Sequence, residues 1–459
     1  MDQLTALVSS VNSVLWGPFC LIPLLVGAGI YFSLRLRFVQ VRCFGRAWHA
    51  VFGNVRLFGD KADKQGMSSF QSLATAVAAQ VGTGNLAGVA TAIAMGGPGA
   101  IFWMWLAAFF GMATISVEAI LAQLYRREGR DGHVSGGPAY YITYGLHCKP
   151  LAVFFSVMII FALGLIGNMV QSNSIAGAFE VAFGIPSWIV GVICALIAAF
   201  IFIGGISRIA ATTEKIVPVM AVFYLLGGLF VLIGFYDQII PALKSIFIGA
   251  FNPPAATGGV IGATVKEAIR YGVARGLFSN EAGMGSTPHA HAMAKVKYPA
   301  QQGLVAMMGV FIDTFVVLNM TAIVILATGV LDGKTTGIAL TQNAFQNGMG
   351  VFGLSFVAIC LFFFAFSTII GWYFFALQNV KFLFGPRAVR PYQLGVVFFV
   401  FLGSVLHVNL VWELADLFNG LMVIPNLIAL IGLFKYAAKA LEDYERATGV
   451  PGPAAAEKQ

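Results

Sequence analysis

The sequence predicts an all-α polytopic membrane protein with 11 transmembrane helices, ten of which form two inverted five-helix repeats behind one additional N-terminal helix. Three observations carry this. Of the 459 residues, 59% are hydrophobic and only 10% are charged, against roughly 25% charge in soluble domains. Apolar segments of about 20 residues, the length that crosses a bilayer, recur along the chain. Two of those segments are broken near their middles by glycine and polar residues, and each opens a group of five. A water-soluble enzyme of two or three domains is excluded by the first observation alone.

The first span, 14–34, follows Met1-Asp2-Gln3, which lacks the basic stretch of a cleavable signal peptide. A basic loop follows, with a mixed-charge tip at Asp60–Lys64, so residues 1–67 form an N-terminal helix plus loop. The first repeat, 68–235, holds spans at 68–95, 98–122, 151–183, 186–204 and 212–235. Residues 236–261 read as an extracellular connection. The second repeat, 262–435, holds spans at 262–295, 300–329, 351–383, 392–408 and 411–435. Lys266, Arg270 and Arg275 make the first half of 262–295 the most polar of these. Residues 436–459 read as a cytoplasmic tail, disordered after about Glu442 where it turns polar and then Pro/Ala-rich.

Orientation follows from the basic residues, which gather on the cytoplasmic side. Alternate connections and the C-terminal tail hold 22 of the 27 Lys and Arg, seven of them in Arg35–Lys64, and the opposite side has only Lys244 and Lys334. The N-terminus is therefore expected outside and the C-terminus inside, in the bacterial inner (plasma) membrane. The formal charge of +8 is explained by topology, and no nucleic-acid partner is needed. Five cysteines, Cys20, Cys43, Cys148, Cys194 and Cys360, give no disulfide framework.

The breaks carry the chemistry. The first is Gly82-Thr83-Gly84-Asn85, and the second is Gly276-Leu-Phe-Ser-Asn-Glu-Ala-Gly-Met-Gly285. Unsatisfied backbone in hydrocarbon costs several kcal/mol per group, so such segments must line protein or a water cavity. Exposed helix ends offer N–H groups to an anion and carbonyls to a cation. A five-span repeat is odd, so its second copy is inverted, as in transporters that bind at the repeat interface.

These residues resemble a known family. Gly82-Thr-Gly-Asn-Leu-Ala-Gly-Val-Ala90, Gly96-Gly-Pro-Gly-Ala-Ile-Phe-Trp-Met-Trp105 and Gly136-Gly-Pro-Ala-Tyr-Tyr141 are similar to motifs of the alanine or glycine:cation symporters. So are Arg275-Gly-Leu-Phe-Ser-Asn-Glu-Ala-Gly-Met-Gly-Ser286 and Phe311-Ile-Asp-Thr314, and the resemblance spans about 10–440. It implies the leucine-transporter fold with one extra N-terminal helix, and uptake of small neutral amino acids such as alanine and glycine. It implies sodium coupling, or in some members proton coupling, with no organic cofactor.

On this reading the substrate carboxylate meets amides near Thr83, Gly84 and Asn85, and Phe278 and Trp372 enclose its side chain. Gln80, Gln171 and Asn280 complete the candidate substrate contacts. Gln171 is favoured because in the resembling family its helix faces the substrate, the alternative for it and Asn173 being interhelical hydrogen bonds. Aligning the first break with that fold suggests carbonyls near Ala78 and Val81 as sodium ligands, with Phe364 and the hydroxyls of Ser367 and Thr368. Hard cations take oxygen ligands, whereas the competing reading bonds each hydroxyl back to the preceding turn.

Three intramembrane acids remain. Glu281 reads as a brace of the second break or a proton-responsive group, or else as a salt-bridge partner of Arg275 or a lysine. Asp313 reads as a structural hydrogen-bonding or proton-handling group, and Glu118 as a residue snorkelling to the cytoplasmic interface. His289 and His291, two positions apart, share no helix face and read as structural. Gly82-x-Gly84-x-x-x-Gly88 is not a dinucleotide loop, since no strand precedes it. The absence of a nucleophile–base pair argues against an enzyme. A channel lined by the broken helices is the remaining rival, and the oligomeric state is not legible.

Overall fold

Long apolar runs leave each backbone group no partner but its own helix, and the computed structural model is accordingly almost entirely helical. It describes residues 2–17, 19–53, 66–128, 134–252, 254, 263–406 and 408–448. The expected loop tip at 60–64 and the end of the tail lie outside these.

Among the described residues, seven helices are long and apolar enough to cross a membrane: Gly99–Leu124, Lys149–Phe183, Gly205–Gly234, Pro299–Ala327, Phe352–Phe384, Pro386–Val405 and Leu410–Ala447. Ser69–Gln80 and Gly84–Gly96, bent by 44° at their junction, make an eighth if taken together. Gln3–Leu15, Leu21–Arg35 and Ser187–Ile203 are shorter apolar helices. The chain is a multi-pass membrane protein, with fewer full-length spans than the eleven expected.

The differences have local causes. The span expected at 14–34 is instead two helices, Asp2–Leu15 and Leu21–Arg35, with Gly17, a residue that disfavours helix, between them. The expected span 262–295 is Val265–Asn280, a non-helical Glu281–Thr287, and one turn at Pro288–Ala292. The connection at 236–261 carries the helix Ile239–Phe251, and Gly337–Met349 forms another between two spans. The last helix continues to Ala447, so the stretch just beyond Glu442 is ordered rather than a disordered tail.

Phe352–Phe384 is the most enclosed of the long helices and packs against Asn168–Phe183, Ser69–Gln80 and Gly205–Gly234. Small residues set how closely it approaches. A Cβ added at Gly371 would lie 2.8 Å from the Ala79 Cβ and 3.1 Å from its Cα. Three π-helical stretches, Gly84–Gly88, Ile160–Gly167 and Phe311–Leu318, interrupt the helices. The extra residue in such a turn offsets the side chains after it, and π turns gather at functional sites. At the other end of the broken helices, Met67 and Ala294 form a parallel bridge, with Met67 N donating to Met293 O at 2.9 Å. The two interrupted units are thereby joined edge to edge.

Candidate functional site

The first broken helix begins with a capping box, in which Ser68 Oγ accepts from Gln71 N and Gln71 Oε1 from Ser68 N, each at 3.1 Å. It ends at Gln80 because Val81 takes φ −81°, ψ 89°, outside the helical region. The released amides find side chains. Gly82 N donates to Asn85 Oδ1 at 2.9 Å, and Thr83 N donates to Gln171 Oε1 at 3.2 Å. Gln171 therefore reaches the break itself, whereas Asn173 makes interhelical bonds to the carbonyls of Gly403 and Leu406 at 2.8 and 2.9 Å. Gly84 is needed for packing, since a Cβ there would lie 2.9 Å from Ser279 Cα on the second broken helix.

Asp313 ties the two breaks together. Its Oδ1 accepts from Asn85 Nδ2 at 2.7 Å and from Ser279 Oγ at 2.9 Å, and its Oδ2 accepts from Thr314 Oγ1 at 2.9 Å. Asn280 donates to Thr314 Oγ1 at 3.2 Å, and Gln80 Nε2 donates to Asn280 O at 2.7 Å. Gln80, Asn85, Asn280 and Asp313 thus form one buried polar network.

The second broken helix also starts with a capping box, Thr264 with Glu267. It stops at Asn280, where Glu281 turns left-handed with φ 59°, a conformation that costs a non-glycine residue about 1–3 kcal/mol and persists only if neighbours enforce it. They do so in a manner the sequence reading misjudged. Glu118 does not snorkel: fully buried, it accepts from Gly283 N at 3.2 Å, Gly285 N at 3.0 Å and Asn426 Nδ2 at 2.5 Å. Its place one helix away from a glycine-rich break, with free amides to satisfy, is why it stays inside. Asn426 in turn donates to Gly283 O at 2.9 Å and accepts from the Tyr141 hydroxyl.

Glu281 is not the partner of Arg275. Its carboxylate accepts from Ser286 Oγ and from the indole N–H of Trp372. Arg275 instead makes a two-pronged pair with Asp416, at 2.9 and 2.6 Å. Fork geometry of this kind suits guanidinium and carboxylate. Asp416 escaped the sequence reading, although an aspartate in one apolar span and an arginine in another are complementary. Arg275 also sits over the Trp412 ring at 5.0 Å. Phe278 packs edge-on to Trp372 with centroids 5.7 Å apart and lies 5.1 Å from Trp412. Phe278 and Trp372 are thus in direct contact, and Trp412 extends the cluster toward the Arg275–Asp416 pair.

The expected cation ligands converge from two helices. Ser367 Oγ and Thr368 Oγ1 lie 3.2 and 3.0 Å from Ala78 O, and both also bond back to Phe364 O at 2.8 and 3.1 Å. The bond of each hydroxyl back to the preceding turn is therefore present beside its approach to the Ala78 carbonyl. Val81 is buried, and a Cβ on its neighbour Gly82 would strike Thr368 Oγ1. Ala78 O, Phe364 O and the two hydroxyls are four neutral oxygens in one place, a donor set of the kind a hard cation takes. His289, by contrast, is structural: its Nδ1 donates to Ser286 O at 2.6 Å and its Nε2 accepts from Asn379 Nδ2 at 2.8 Å.

The chain is similar to known transporters over nearly its whole length. A "sodium/alanine symporter AgcS" of Methanococcus maripaludis is 45% identical over 434 residues, covering 93% of this chain and 94% of its own. An uncharacterized transporter of Haemophilus influenzae is 44% identical over 442 residues, 96% of each chain. A "putative sodium/proton-dependent alanine carrier protein YrbD" of Bacillus subtilis is 43% identical, over 96% of this chain and 92% of its own. The model of the sodium:alanine symporter family matches residues 1–452. With residues 1–452 of its 459 matched, this chain belongs to the sodium:alanine symporter family.

Proposed function

We propose that the protein is a secondary active symporter that imports small neutral amino acids, alanine and glycine foremost, with sodium. The observation that carries this is the meeting of Ser367 and Thr368 with the Ala78 carbonyl across two helices. A sodium ion there would draw ligands from Ala78, Val81, Phe364, Ser367 and Thr368, pinning the first broken helix to the central one. The amino acid would bind between the breaks, with its carboxylate near Thr83, Gly84 and Asn85, the amides of Gln80, Gln171 and Asn280 around it, and Phe278 and Trp372 over its side chain. A ligand shifts a conformational equilibrium only by its differential affinity for the two states. The cation favours the closed arrangement of the first break, and that arrangement is the one the amino acid needs. Inward movement of one charge supplies about 2.3 kcal/mol per 100 mV.

The leucine-transporter plan of two inverted repeats, with the N-terminus outside and the C-terminus inside the bacterial inner membrane, belongs to the same proposal. Proton coupling is a second reading, favoured by one observation. Asp313 and Glu281 are buried carboxylates held by neutral donors, and neither forms a salt bridge among the described residues.

Uptake of labelled alanine into proteoliposomes tests both. Sodium coupling predicts concentrative uptake under an inward sodium gradient and none under a proton gradient alone. The reverse result supports proton coupling. Uptake that follows neither gradient, with single-channel conductance, would make the protein a channel.

A further inference from the structure

Where the helix Leu21–Arg35 ends, the chain turns through two successive left-handed non-glycine residues, Arg37 with φ 55° and Phe38 with φ 51°. Such strain persists only where the surroundings over-determine it. Here Leu36 and Val39 are buried on either side, and Phe38 N donates to Ser33 O at 2.6 Å. The consequence is that Arg35, Arg37 and Arg42 line a single cavity of about 80 Å³ against the last helix, whose Ala438, Leu441, Glu442 and Glu445 form the far wall.

Charge within this cavity is unevenly committed. Glu445, buried to 2% side-chain exposure, is bound by Arg42 at 2.5 Å, and Arg42 also donates to Leu36 O at 3.3 Å. Glu442 lies 3.8 Å from Arg446. Arg35 stacks over the Phe434 ring at 5.8 Å, and neither it nor Arg37 pairs with a carboxylate among the described residues. Two guanidinium groups thus line the cavity without a carboxylate partner among the described residues, at the end of an apolar helix.

We propose that this cavity is a binding site for the phosphate of an anionic phospholipid headgroup. Guanidinium forks match phosphate oxygens in pairs. On the orientation proposed above this end of the helix meets the cytoplasmic leaflet, whose anionic headgroups give it a negative surface potential and are held by basic pockets between helix ends. The neighbouring exposed Leu34 and Phe38 offer apolar surface to the acyl chains. A lipid there would bridge the N-terminal helix to the last helix and stiffen their contact.

The test uses the purified full-length protein in a neutral detergent, read by its thermal unfolding midpoint and by native mass spectrometry. Phosphatidylglycerol should raise the midpoint by several degrees and remain bound, while phosphatidylcholine and inorganic phosphate should do neither. The double change Arg35→Gln and Arg37→Gln should remove most of the shift; both residues are exposed, so folding is spared. Arg387→Gln with Arg390→Gln, exposed arginines elsewhere, should keep it. If the double variant does not fold, Arg37→Gln alone carries the same test with a smaller loss. No shift with phosphatidylglycerol, an equal shift with phosphatidylcholine, or an undiminished shift in the pocket variant would overturn the proposal. An equal shift with inorganic phosphate would make this a free-anion site and overturn the lipid assignment.

Discussion

The two breaks solve one problem by different means. At Val81–Thr83 the freed amides are taken by neutral side chains, Asn85 within the same segment and Gln171 from another helix. At Glu281–Thr287 the backbone is held by a carboxylate, with Glu118 accepting from both Gly283 and Gly285 and Asn426 adding a bond to Gly283 O. A hydrogen bond contributes about 0.5–1.5 kcal/mol net, and a buried donor left without its acceptor costs about 1–3. With three donors meeting on Glu118, the second break is the anchored one. The freed amides of the first have one neutral acceptor each and lie beside the oxygens of Ser367 and Thr368, where the proposed cation would have most to add.

The largest expected effect breaks the anchored side. Glu118→Ala leaves two backbone amides and the Asn426 amide without their acceptor in a buried site, at about 1–3 kcal/mol each. The detergent-solubilised protein should lose most of its folded fraction on size-exclusion chromatography, with Glu118→Gln recovering part. A wild-type thermal midpoint for Glu118→Ala would mean the second break is not anchored by this residue.

Next comes the aromatic cover between the breaks. Trp372→Ala should shift competition for alanine uptake toward valine and leucine, since steric enclosure rejects each extra methylene by about 1–3 kcal/mol. It also removes the indole donor to Glu281. Trp372→Phe separates the two roles: it keeps most of the enclosure and loses only the hydrogen bond. Unchanged selectivity in Trp372→Ala would take this residue out of the substrate pocket.

The weaker side is sharpened by its hydroxyls. Ser367→Ala with Thr368→Val keeps the volume nearly constant and should raise the sodium concentration for half-maximal uptake about tenfold, or about 1.4 kcal/mol. Because binding linkage is reciprocal, alanine affinity at low sodium should weaken too and return at saturating sodium. Sodium dependence identical to the parent would leave these hydroxyls with only their bonds to Phe364 O.

The smallest effect is expected at Gln171. Gln171→Leu removes one neutral acceptor from Thr83 N, worth about 0.5–1.5 kcal/mol, and should weaken alanine binding several-fold in calorimetry while leaving the thermal midpoint nearly unchanged. A fall in the midpoint as large as that of Glu118→Ala would erase the contrast between the breaks.

Much of this was legible before any coordinates. Composition alone requires a membrane protein, and glycine beside Thr83, Asn85 and Glu281 marks where helices stop. The adjacent hydroxyls at 367–368 stand out in an apolar run. What was not legible has a common character. Glu118 lies near the end of its span, and nothing local says that a glycine-rich turn waits for it. Arg275 offers itself to the nearer Glu281, yet pairs with Asp416. Gly337–Met349 and Ile239–Phe251 are too short, at 13 residues each, to register as spans.

Membrane residence, the points where the helices break and the side chains that are costly to bury there all follow from the order of residues. Those are local properties, set by residues that are neighbours in the chain, because helix formation closes hydrogen bonds four residues apart. Only the tertiary structure decided who satisfies the broken backbone. Thr83 meets Gln171 across 88 residues, Gly283 meets Glu118 across 165, and Ala78 meets Ser367 across 289. In hydrocarbon no water stands in for a missing partner, so each freed N–H or C=O takes whichever polar side chain the packing brings within about 3 Å. That choice rests on how closely glycines such as Gly82, Gly84 and Gly371 let the helices approach, a property of pairs of helices that neither possesses alone.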